Sequence, residues 1–184
     1  MSAKTLFLDR DGVINRRIVG SYVCHASEFE FLPGVLEALA LLAPRFDYIF
    51  IVTNQQGIGK GIFTEDDLAT THQYLIKEVT ATGGRIDKIY CCPALEKDGS
   101  NNRKPNPGMG LQAKADYPDI DFKNATMVGD SKSDMLFGKN LGVKNVFLTN
   151  GEPLTDDVAA LAEEVYVDLL DFAKKCSPQP PKGA

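Results

Sequence analysis

The sequence predicts one α/β domain built on a doubly wound parallel sheet, with helices on both faces in a three-layer sandwich. Two observations support this fold class. Apolar runs typical of buried strands alternate with helical patterns along the chain, which favours strands joined by crossover helices. The 184 residues are enough for one well-formed core, and neither an internal repeat nor a second core is visible. We therefore expect a single domain over residues 1–176, followed by a disordered proline-rich tail over residues 177–184.

Each element is predicted from a local pattern. Continuous short apolar runs predict the strands; they are residues 5–8, 48–52, 86–92, 126–129, 145–148 and 165–167. Apolar residues at helical spacing predict the helices; they cover residues 35–43, 65–82, 109–116 and a segment after residue 134 that ends at residue 141. Thr64 and Asp67 resemble a capping box with Asp in place of Glu, which predicts the start of the second helix. The glycine-rich run 57–61 lacks the spacing of a Walker phosphate-binding loop, so we interpret it as a flexible turn.

Composition and charge limit the classes of partner. The net charge of -5 gives no general attraction for nucleic acid or for an anionic membrane, so any phosphate must be bound by a local cluster. The amino terminus runs straight into the first strand and no apolar run reaches membrane-spanning length, from which we expect a cytoplasmic protein. The cysteines show no disulfide-framework spacing, so we expect reduced, structural thiols; they are Cys24, Cys91, Cys92 and Cys176.

Two carboxylates at the end of the first strand are the first candidate functional residues. Asp9 and Asp11 are two positions apart, so in extended backbone their side chains point the same way and can converge on one reaction centre. Gly12 lets the chain turn away, and open parallel sheets bind ligands beyond the carboxyl ends of their strands. Taken alone, the same pattern is equally typical of a solvated turn rich in Asp and Gly.

Three further polar clusters follow predicted strands or precede a helix. They are, in chain order, Thr53 with Asn54, Arg103 with Lys104, and Asp130 with Asp134. Together with the two aspartates they supply a carboxylate nucleophile, a second carboxylate for proton transfer, donors for phosphoryl oxygens and an acidic site for a hard divalent cation. Phosphoryl transfer to a carboxylate requires these groups. Arg16 and Arg17 also follow the first cluster closely enough for at least one guanidinium to reach a bound phosphate.

With these residues the chain resembles the haloacid dehalogenase (HAD) superfamily, subfamily IIIA, over motifs that extend from Asp9 to Asp134. Within it the motifs are most similar to the D-glycero-D-manno-heptose 1,7-bisphosphate 7-phosphatases and their histidinol-phosphatase relatives; they read DRDGVIN, VTNQQGIGKG, RKPNPGM and VGDSKSDM. The resemblance implies a Rossmann-like HAD core. Members often insert a cap domain between motifs, but neither gap here holds a domain. We therefore expect a capless phosphatase whose pocket is shaped by loops 16–30 and 93–102.

For this chain the resemblance implies a phospho-aspartyl mechanism. Asp9 attacks phosphorus, while Asp11 protonates the leaving alkoxide and later deprotonates the attacking water. Thr53 and Lys104 hold the transferring phosphoryl oxygens, and Asp134 orients Lys104. The residues expected to contact the substrate are Arg17, Asn54, Gln55, Gln56 and Arg103.

The resemblance also implies which metals are bound. Magnesium is expected on the carboxylates of Asp9 and Asp130 and on the main-chain carbonyl of Asp11. The relatives commonly carry a structural zinc loop of the form CxH followed by CxC before the RKP motif, whereas this sequence reads CCPA there and has neither Cys nor His in residues 96–102. Two adjacent cysteines cannot supply a tetrahedral site. We therefore expect Mg2+ as cofactor and no zinc.

The substrate is the least constrained part of the prediction. Asn15 after DGVI and the segment KPNPGM favour heptose bisphosphate; histidinol phosphate, another sugar phosphate and a non-catalytic phosphosugar-binding role stay open. A two-component receiver domain is disfavoured because the DxD motif comes first and an acidic motif follows the lysine. The acidic charge disfavours a DNA 3′-end phosphatase. We expect a small sugar phosphate as partner, neither nucleic acid nor membrane, and by default a monomer; the preferred anomer is not determined.

Overall fold

The computed structural model describes residues 3–176, in which strands and helices alternate. Within these residues the strands are β1 (Ala3–Leu8), β2 (Tyr48–Asn54), β3 (Lys88–Cys92), β4 (Ile120–Gly129), β5 (Lys144–Leu148) and β6 (Glu164–Tyr166). The helices are α1 (Val35–Leu42), α2 (Gln56–Gly59), α3 (Glu65–Ala81), α4 (Gly108–Asp116), α5 (Lys132–Leu141), α6 (Asp156–Ala159) and α7 (Leu169–Lys175). The disordered tail predicted over residues 177–184 lies outside the described residues.

All six strands are parallel and form one sheet in the order β3-β2-β1-β4-β5-β6. β1 lies in the middle, where Leu8 pairs in register with Ile51 of β2 and with Val128 of β4. The chain steps outward from β1 to β3 and then returns to the other side of β1, so the strand order reverses between β1 and β4. At such a switch point the carboxyl ends of the strands open a crevice where α/β sheets bind ligands. The predicted doubly wound fold is confirmed.

Apolar strand residues pack against helices on both faces of the sheet. Leu6 and Leu8 face a layer formed by α1, α3 and α7, whereas Phe7 faces a layer formed by α4 and α5. Successive side chains of a strand point to opposite faces, so a strand buried on both faces needs a continuous apolar run. The result is a three-layer sandwich, and the apolar runs predicted the presence of all six strands, though not every boundary.

The glycine-rich segment after β2 differs from its prediction. The interpretation of residues 57–61 as a flexible turn is wrong for residues 57–59, because Gln56–Gly59 form the short helix α2 and the turn is confined to residues 60 and 61. A Cβ on Gly57 would lie 2.2 Å from the ring of Phe63, and a Cβ on Gly59 would lie 2.5 Å from the carbonyl oxygen of Pro93. These glycines therefore permit close packing. The capping box predicted just beyond, with Thr64 as N-cap, is present.

Two other parts of the fold were not predicted. β4 begins at Ile120 and not at residue 126, because Ala3 of β1 pairs with Ile120 across an irregularity in the register. Helices α6 and α7 have too few residues for a periodic pattern to be recognised. α7 nevertheless completes the core, since Leu169 and Phe172 are buried against the layer that contains α1.

The connections beyond the sheet edge are loops that carry single 3-10 turns. Ala26–Glu28 lies between β1 and α1, and Glu96–Asp98 lies between β3 and α4. All the named strands of residues 3–176 belong to the one sheet, so neither connection contributes a second layer of strands. No helix in this part of the chain has the length and apolar character that crossing a membrane requires.

Candidate active site

The four polar clusters come together at the carboxyl edge of the sheet. β1 ends directly before Asp9, β2 ends at Asn54, and β4 ends directly before Asp130. Lys104 comes from the loop before α4 and reaches the same edge. A cavity of about 980 Å³ opens there, and its lining includes Asp9, Asp11, Arg17, Asn54, Gln55, Gln56, Arg103, Lys104 and Asp134.

A buried lysine joins two of the clusters. Lys104 Nζ donates to Asp9 Oδ1 at 2.8 Å and to Asp134 Oδ1 at 2.7 Å. The three side chains are less than a tenth exposed. Burial alone lowers the pKa of Lys104, but the two carboxylates outweigh it and raise that pKa, so the lysine is a cation. The structure therefore places a fixed positive charge directly against Asp9.

Two carboxylates of the site resist ionisation. Burial, followed by repulsion from Asp134, raises the pKa of Asp9 to about 6, although Lys104 lowers it. Burial and repulsion from Asp9 raise the pKa of Asp130 to about 8. One carboxylate oxygen from each of Asp9, Asp130 and Asp134 lies within 4.8 Å of the others. Carboxylates this close oppose one another's charge, and a divalent cation between them would relieve that repulsion.

Asp134 is engaged through both of its oxygens. Oδ1 accepts from Lys104, while Oδ2 accepts from the amides of Asp130 and Ser131 at 3.2 Å and from the Ser131 hydroxyl at 2.8 Å. Ser131 is in turn the N-cap of α5 and accepts from the Asp134 amide. This capping box locks the Asp134 carboxylate in place, so its geometry suits holding Lys104 and leaves Asp9 and Asp130 to face a cation.

The remaining oxygens fit a hard cation such as magnesium. Asp130 and the main-chain carbonyl of Asp11 both accept hydrogen bonds from the guanidinium of Arg17. Its Nη2 lies 2.9 and 3.2 Å from the two Asp130 carboxylate oxygens and 3.0 Å from the Asp11 carbonyl oxygen. The backbone can come this close because residue 12 is Gly with φ of +93°, where a Cβ would lie 1.9 Å from Asp130 Oδ2. Carboxylate and carbonyl oxygens are the donors that magnesium prefers.

Three donors hold the Asp11 carboxylate. Arg10 Nη2 and Asn15 Nδ2 each donate to Oδ1 at 2.9 Å, and Gln55 Nε2 donates to Oδ2 at 3.0 Å. Burial raises the pKa of Asp11, but the charge of Arg10 and these hydrogen bonds outweigh it and lower the pKa below its ordinary value. Asp11 is therefore a fixed, ionised carboxylate two residues from Asp9.

Arg10 and His72 are functional candidates that the sequence analysis missed. The Arg10 side chain is 1% exposed, and its Nη1 lies 3.2 Å from His72 Nε2. Guanidinium can only donate, so Nε2 accepts and is unprotonated. Burial, with the charge of Arg10, accordingly lowers the pKa of His72 to about 3. The position of Arg10 between Asp9 and Asp11 could have indicated that it belongs to the site. No pattern in the sequence around His72, on α3, indicates a functional role.

The end of β2 supports the neighbouring loop. Asn54 Oδ1 accepts from the Lys104 amide at 3.0 Å, and Asn54 Nδ2 donates to the Lys104 carbonyl at 3.1 Å. Asn54 thus ties the backbone of the lysine loop to the sheet. Thr53 is wholly buried, and its hydroxyl accepts from Gln55 at 2.9 Å. Gln55 therefore links Thr53 to Asp11 on the floor of the cavity.

The other predicted substrate contacts lie around the cavity. Gln56 begins α2 at its rim. Arg103 also lines the cavity, and its Nη1 donates to the Ala94 carbonyl at 3.3 Å. Lys60 and Lys132 also line the cavity. A chain of net charge -5 thus presents several cations around this one opening.

Known proteins with the same pattern are phosphatases. A family model described as "HAD-hyrolase-like" matches residues 101–172. The chain is 43% identical over 175 residues to the D-glycero-alpha-D-manno-heptose-1,7-bisphosphate 7-phosphatase of Campylobacter jejuni, covering 95% of this chain and 98% of that protein. It is 36% identical to the D-glycero-beta-D-manno-heptose-1,7-bisphosphate 7-phosphatase of Vibrio cholerae, covering 93% of this chain and 95% of that protein.

A solved structure shows the same similarity in three dimensions. The crystal structure of D,D-heptose 1,7-bisphosphate phosphatase from B. bronchiseptica, complexed with magnesium and phosphate, superposes with a TM-score of 0.83 at 32% identity. The match covers 93% of this chain and 96% of that chain. The fold and the sequence identity over nearly the whole length agree. The chain is therefore a HAD phosphatase and belongs to the D-glycero-D-manno-heptose-1,7-bisphosphate 7-phosphatase family.

Proposed function

We propose that this protein removes the 7-phosphate of D-glycero-D-manno-heptose 1,7-bisphosphate, with magnesium, through a phosphorylated Asp9. One observation carries the proposal: the buried Asp9 hydrogen-bonds Lys104 and lies beside Asp130 at the switch point of the sheet. A carboxylate nucleophile next to a fixed cation and an acidic metal site is suited to receiving a phosphoryl group. The names of the relatives support heptose bisphosphate as the substrate.

In the first half-reaction a carboxylate oxygen of Asp9 attacks the phosphorus of the 7-phosphate. A P–O bond to Asp9 forms while the P–O bond to the C7 oxygen breaks, and the C7 oxygen takes a proton from Asp11. Asp11 therefore has to be protonated when the substrate is bound. Its pKa is lowered in the free protein, but an incoming phosphate brings negative charge that raises the pKa of a nearby carboxyl.

In the second half-reaction Asp11, now a carboxylate, removes a proton from a water molecule. The water oxygen attacks the phosphorus of phospho-Asp9, the P–O bond to Asp9 breaks, and inorganic phosphate leaves. Asp11 ends the cycle protonated, as it began the first half-reaction. The three donors that hold its carboxylate keep the same oxygens aimed at the site in both steps.

The Asp9 carboxylate and the substrate phosphate are both anions, so positive charges beside Asp9 are needed to bring them together. Lys104 Nζ, 2.8 Å from Asp9 Oδ1, is placed to bind the transferring phosphoryl oxygens, and Thr53 supports that floor through Gln55. Asp134 keeps the Lys104 ammonium in this position by accepting its second hydrogen bond. Magnesium bound by Asp9, Asp130 and the Asp11 carbonyl would supply further positive charge against the repulsion between nucleophile and substrate.

The rim of the cavity is suited to a substrate with a second anionic group. Arg103 and Lys60 line the cavity beside the buried Asp9 and Lys104 that also line it, and guanidinium groups bind phosphate oxygens in pairs. We propose that Arg103, Asn54, Gln55 and Gln56, which line the cavity, contact the heptose bisphosphate together with Arg17. Both anomers are named among the relatives, so the preferred anomer is left to experiment.

We also propose that the enzyme has no structural zinc. Cys91 is exposed and Cys92 is buried, as expected for neighbours on β3 that point to opposite faces of the sheet. Two such thiols cannot turn toward one tetrahedral ion. Atomic emission on purified protein should find less than about 0.1 zinc per chain, and one zinc per chain would overturn this proposal.

The remaining proposals concern the setting of the enzyme. We propose that it acts on small sugar phosphates in the cytoplasm, as a monomer, and binds neither nucleic acid nor membranes. The net charge of -5 supports the absence of nucleic-acid and membrane binding, because a chain with this charge has no general attraction for polyanions. The four free cysteines are compatible with a reducing compartment.

The test of the function is phosphate release with magnesium from a panel of substrates. The panel contains heptose 1,7-bisphosphate in both anomers, histidinol phosphate, fructose 1,6-bisphosphate and a 3′-phosphorylated oligonucleotide. We expect a preference of at least about a hundredfold for the heptose, the size of a few well-formed polar contacts, and release only from C7. Comparable weak rates on all substrates would refute the heptose assignment.

The variant Asp9→Asn tests the proposed nucleophile. Its amide cannot attack phosphorus, so turnover should fall by at least about a thousandfold while circular dichroism and thermal unfolding show an intact fold. Asp119→Asn, at the opposite edge of the sheet, is the matched control. Full activity in Asp9→Asn would refute the phospho-aspartyl mechanism, whatever the substrate.

A further inference from the structure

We propose that Arg17 and the magnesium ion exclude each other from one position, so that binding of the ion releases Arg17 into the cavity to meet the anionic substrate. The inference rests on the proposed function for the identity of the ion. It goes beyond that function because it makes one loop arginine both a competitor of the metal and a contact that depends on the metal.

A single nitrogen of Arg17 makes all the contacts concerned. Nη2 lies 2.9 and 3.2 Å from the two carboxylate oxygens of Asp130 and 3.0 Å from the main-chain oxygen of Asp11. These are two of the three groups that would hold magnesium. Arg17 thus places its positive charge among the oxygens that a magnesium ion would need.

The two cations cannot share these oxygens. Magnesium binds its oxygen ligands at about 2.0–2.1 Å and retains water molecules around itself. A guanidinium nitrogen about 3 Å from the same oxygens would lie inside that hydrated shell, and its hydrogens would point at the ion. Two positive charges at this separation repel each other. One must leave when the other binds.

Arg17 is the group free to leave. Its side chain is 52% exposed, whereas that of Asp130 is 12% exposed. It comes from the loop between β1 and α1, two residues before Val19, which is 93% exposed, and three before Gly20, where an added Cβ would meet nothing within 4 Å. The side chain can therefore swing away from Asp130 without disturbing the core.

The same displacement would place Arg17 where the substrate enters. Arg17, Lys60 and Arg103 line one cavity, so a guanidinium released from Asp130 remains at the opening. Linkage then makes magnesium and phosphate cooperative: the ion frees an arginine for phosphate, and phosphate draws the arginine away from the ion. The apparent affinity for magnesium is reduced by the fraction of molecules in which Arg17 occupies the position.

The experiment compares Arg17→Met with Arg16→Met by calorimetric titration of magnesium without substrate. Arg16 is the adjacent residue, is 59% exposed and pairs with Glu30 at 3.1 Å, so its variant removes the same charge without touching Asp130. We expect Arg17→Met to bind magnesium about fivefold more tightly, the size expected for releasing a half-exposed ion pair, and Arg16→Met to change the affinity less than about twofold. Equal changes in both variants, or weaker binding in Arg17→Met, would overturn the inference.

Two further measurements keep the result unambiguous. Asp130→Asn should weaken magnesium binding by at least about tenfold, because it removes the negative charge of one ligand. If it does not, the proposed metal site is wrong and not merely the role of Arg17. The rise in the thermal unfolding temperature that saturating magnesium produces should be larger in Arg17→Met than in wild type. An equal rise would contradict competition.

Binding of inorganic phosphate tests the second half of the inference. With saturating magnesium, Arg17→Met should bind phosphate at least about fivefold more weakly than wild type, since the released guanidinium is missing. In the presence of EDTA the two proteins should bind phosphate within about twofold of each other, because wild-type Arg17 is then held by Asp130. Equal losses under both conditions would show that the ion does not control Arg17.

Discussion

Two cavities of nearly equal volume open at opposite edges of the sheet. The one at the carboxyl edge measures about 980 Å³ and includes the buried Asp9 and Lys104. The one at the amino edge measures about 960 Å³ and is lined by residues near the starts of strands, among them Tyr48, Asp119 and Lys144. Volume does not distinguish the two, so the chemistry of their linings has to.

The difference lies in how far the charges are kept from water. At the carboxyl edge the Lys104 and Asp9 side chains are 4% and 9% exposed. At the amino edge Lys144 pairs with Glu164, and these side chains are 43% and 36% exposed. An ion pair in solvent costs little to form or to break, whereas a buried pair is tolerated only when complete. Charges held out of water therefore mark the functional edge, and size does not.

The largest expected effect comes from removing the lysine of each pair. Lys104→Met leaves two buried carboxylates without their cation, so the free energy of unfolding in EDTA should fall by about 3–5 kcal/mol. Lys144→Met should cost less than about 1 kcal/mol, because its partner is hydrated. Urea titration of both variants measures the two values. Similar losses would remove the physical distinction between the two edges.

A smaller effect, on the pH dependence of the free energy of unfolding, is expected at the two histidines. His72 lies against Arg10 of the site, and His25 lies in an exposed loop. The pKa of His72 is about 3 in the folded protein, below its ordinary value of 6.5. As the pH falls below 6.5 the unfolded chain takes up a proton that the folded chain refuses until about pH 3. Stability that is present above pH 6.5 is therefore lost as the pH falls through this window.

The matched variants are His72→Asn, which keeps an acceptor for Arg10, and His25→Asn, whose native side chain is 64% exposed. Between pH 7 and pH 5 wild type should lose about 1–2 kcal/mol more free energy of unfolding than His72→Asn. His25→Asn should follow wild type. Urea titrations at the two pH values measure this, and parallel behaviour of all three proteins would show that His72 is not held neutral.

The smallest effect is expected at the amino edge. Tyr48 donates to both oxygens of Asp119 at 3.1 Å in an exposed position. Tyr48→Phe should leave phosphate release within about twofold of wild type and the free energy of unfolding within about 0.5 kcal/mol. A tenfold loss of turnover would mean that the amino-edge cavity takes part in the reaction.

Local patterns in the sequence predict the parts of the site that lie at the ends of strands. Asp9 and Asp130 stand directly after apolar runs, so their position at the carboxyl edge follows from where the strands end. Contacts between distant residues have no such pattern. Asn54 and Lys104 are 50 residues apart, and Arg10 and His72 are 62 apart. Nothing in the local sequences indicates that these residues meet.

The sequence by itself determined the order of the six strands, the four longer helices between them and the strand ends at which polar residues emerge. The reason is that a strand buried on both faces requires a continuous apolar run, and the run stops where the chain reaches the edge of the sheet. Only the tertiary structure decided which charges are paired there and how far each lies from water. Arg17 meets Asp130 across 113 residues, because packing, and not sequence distance, sets which groups share a site.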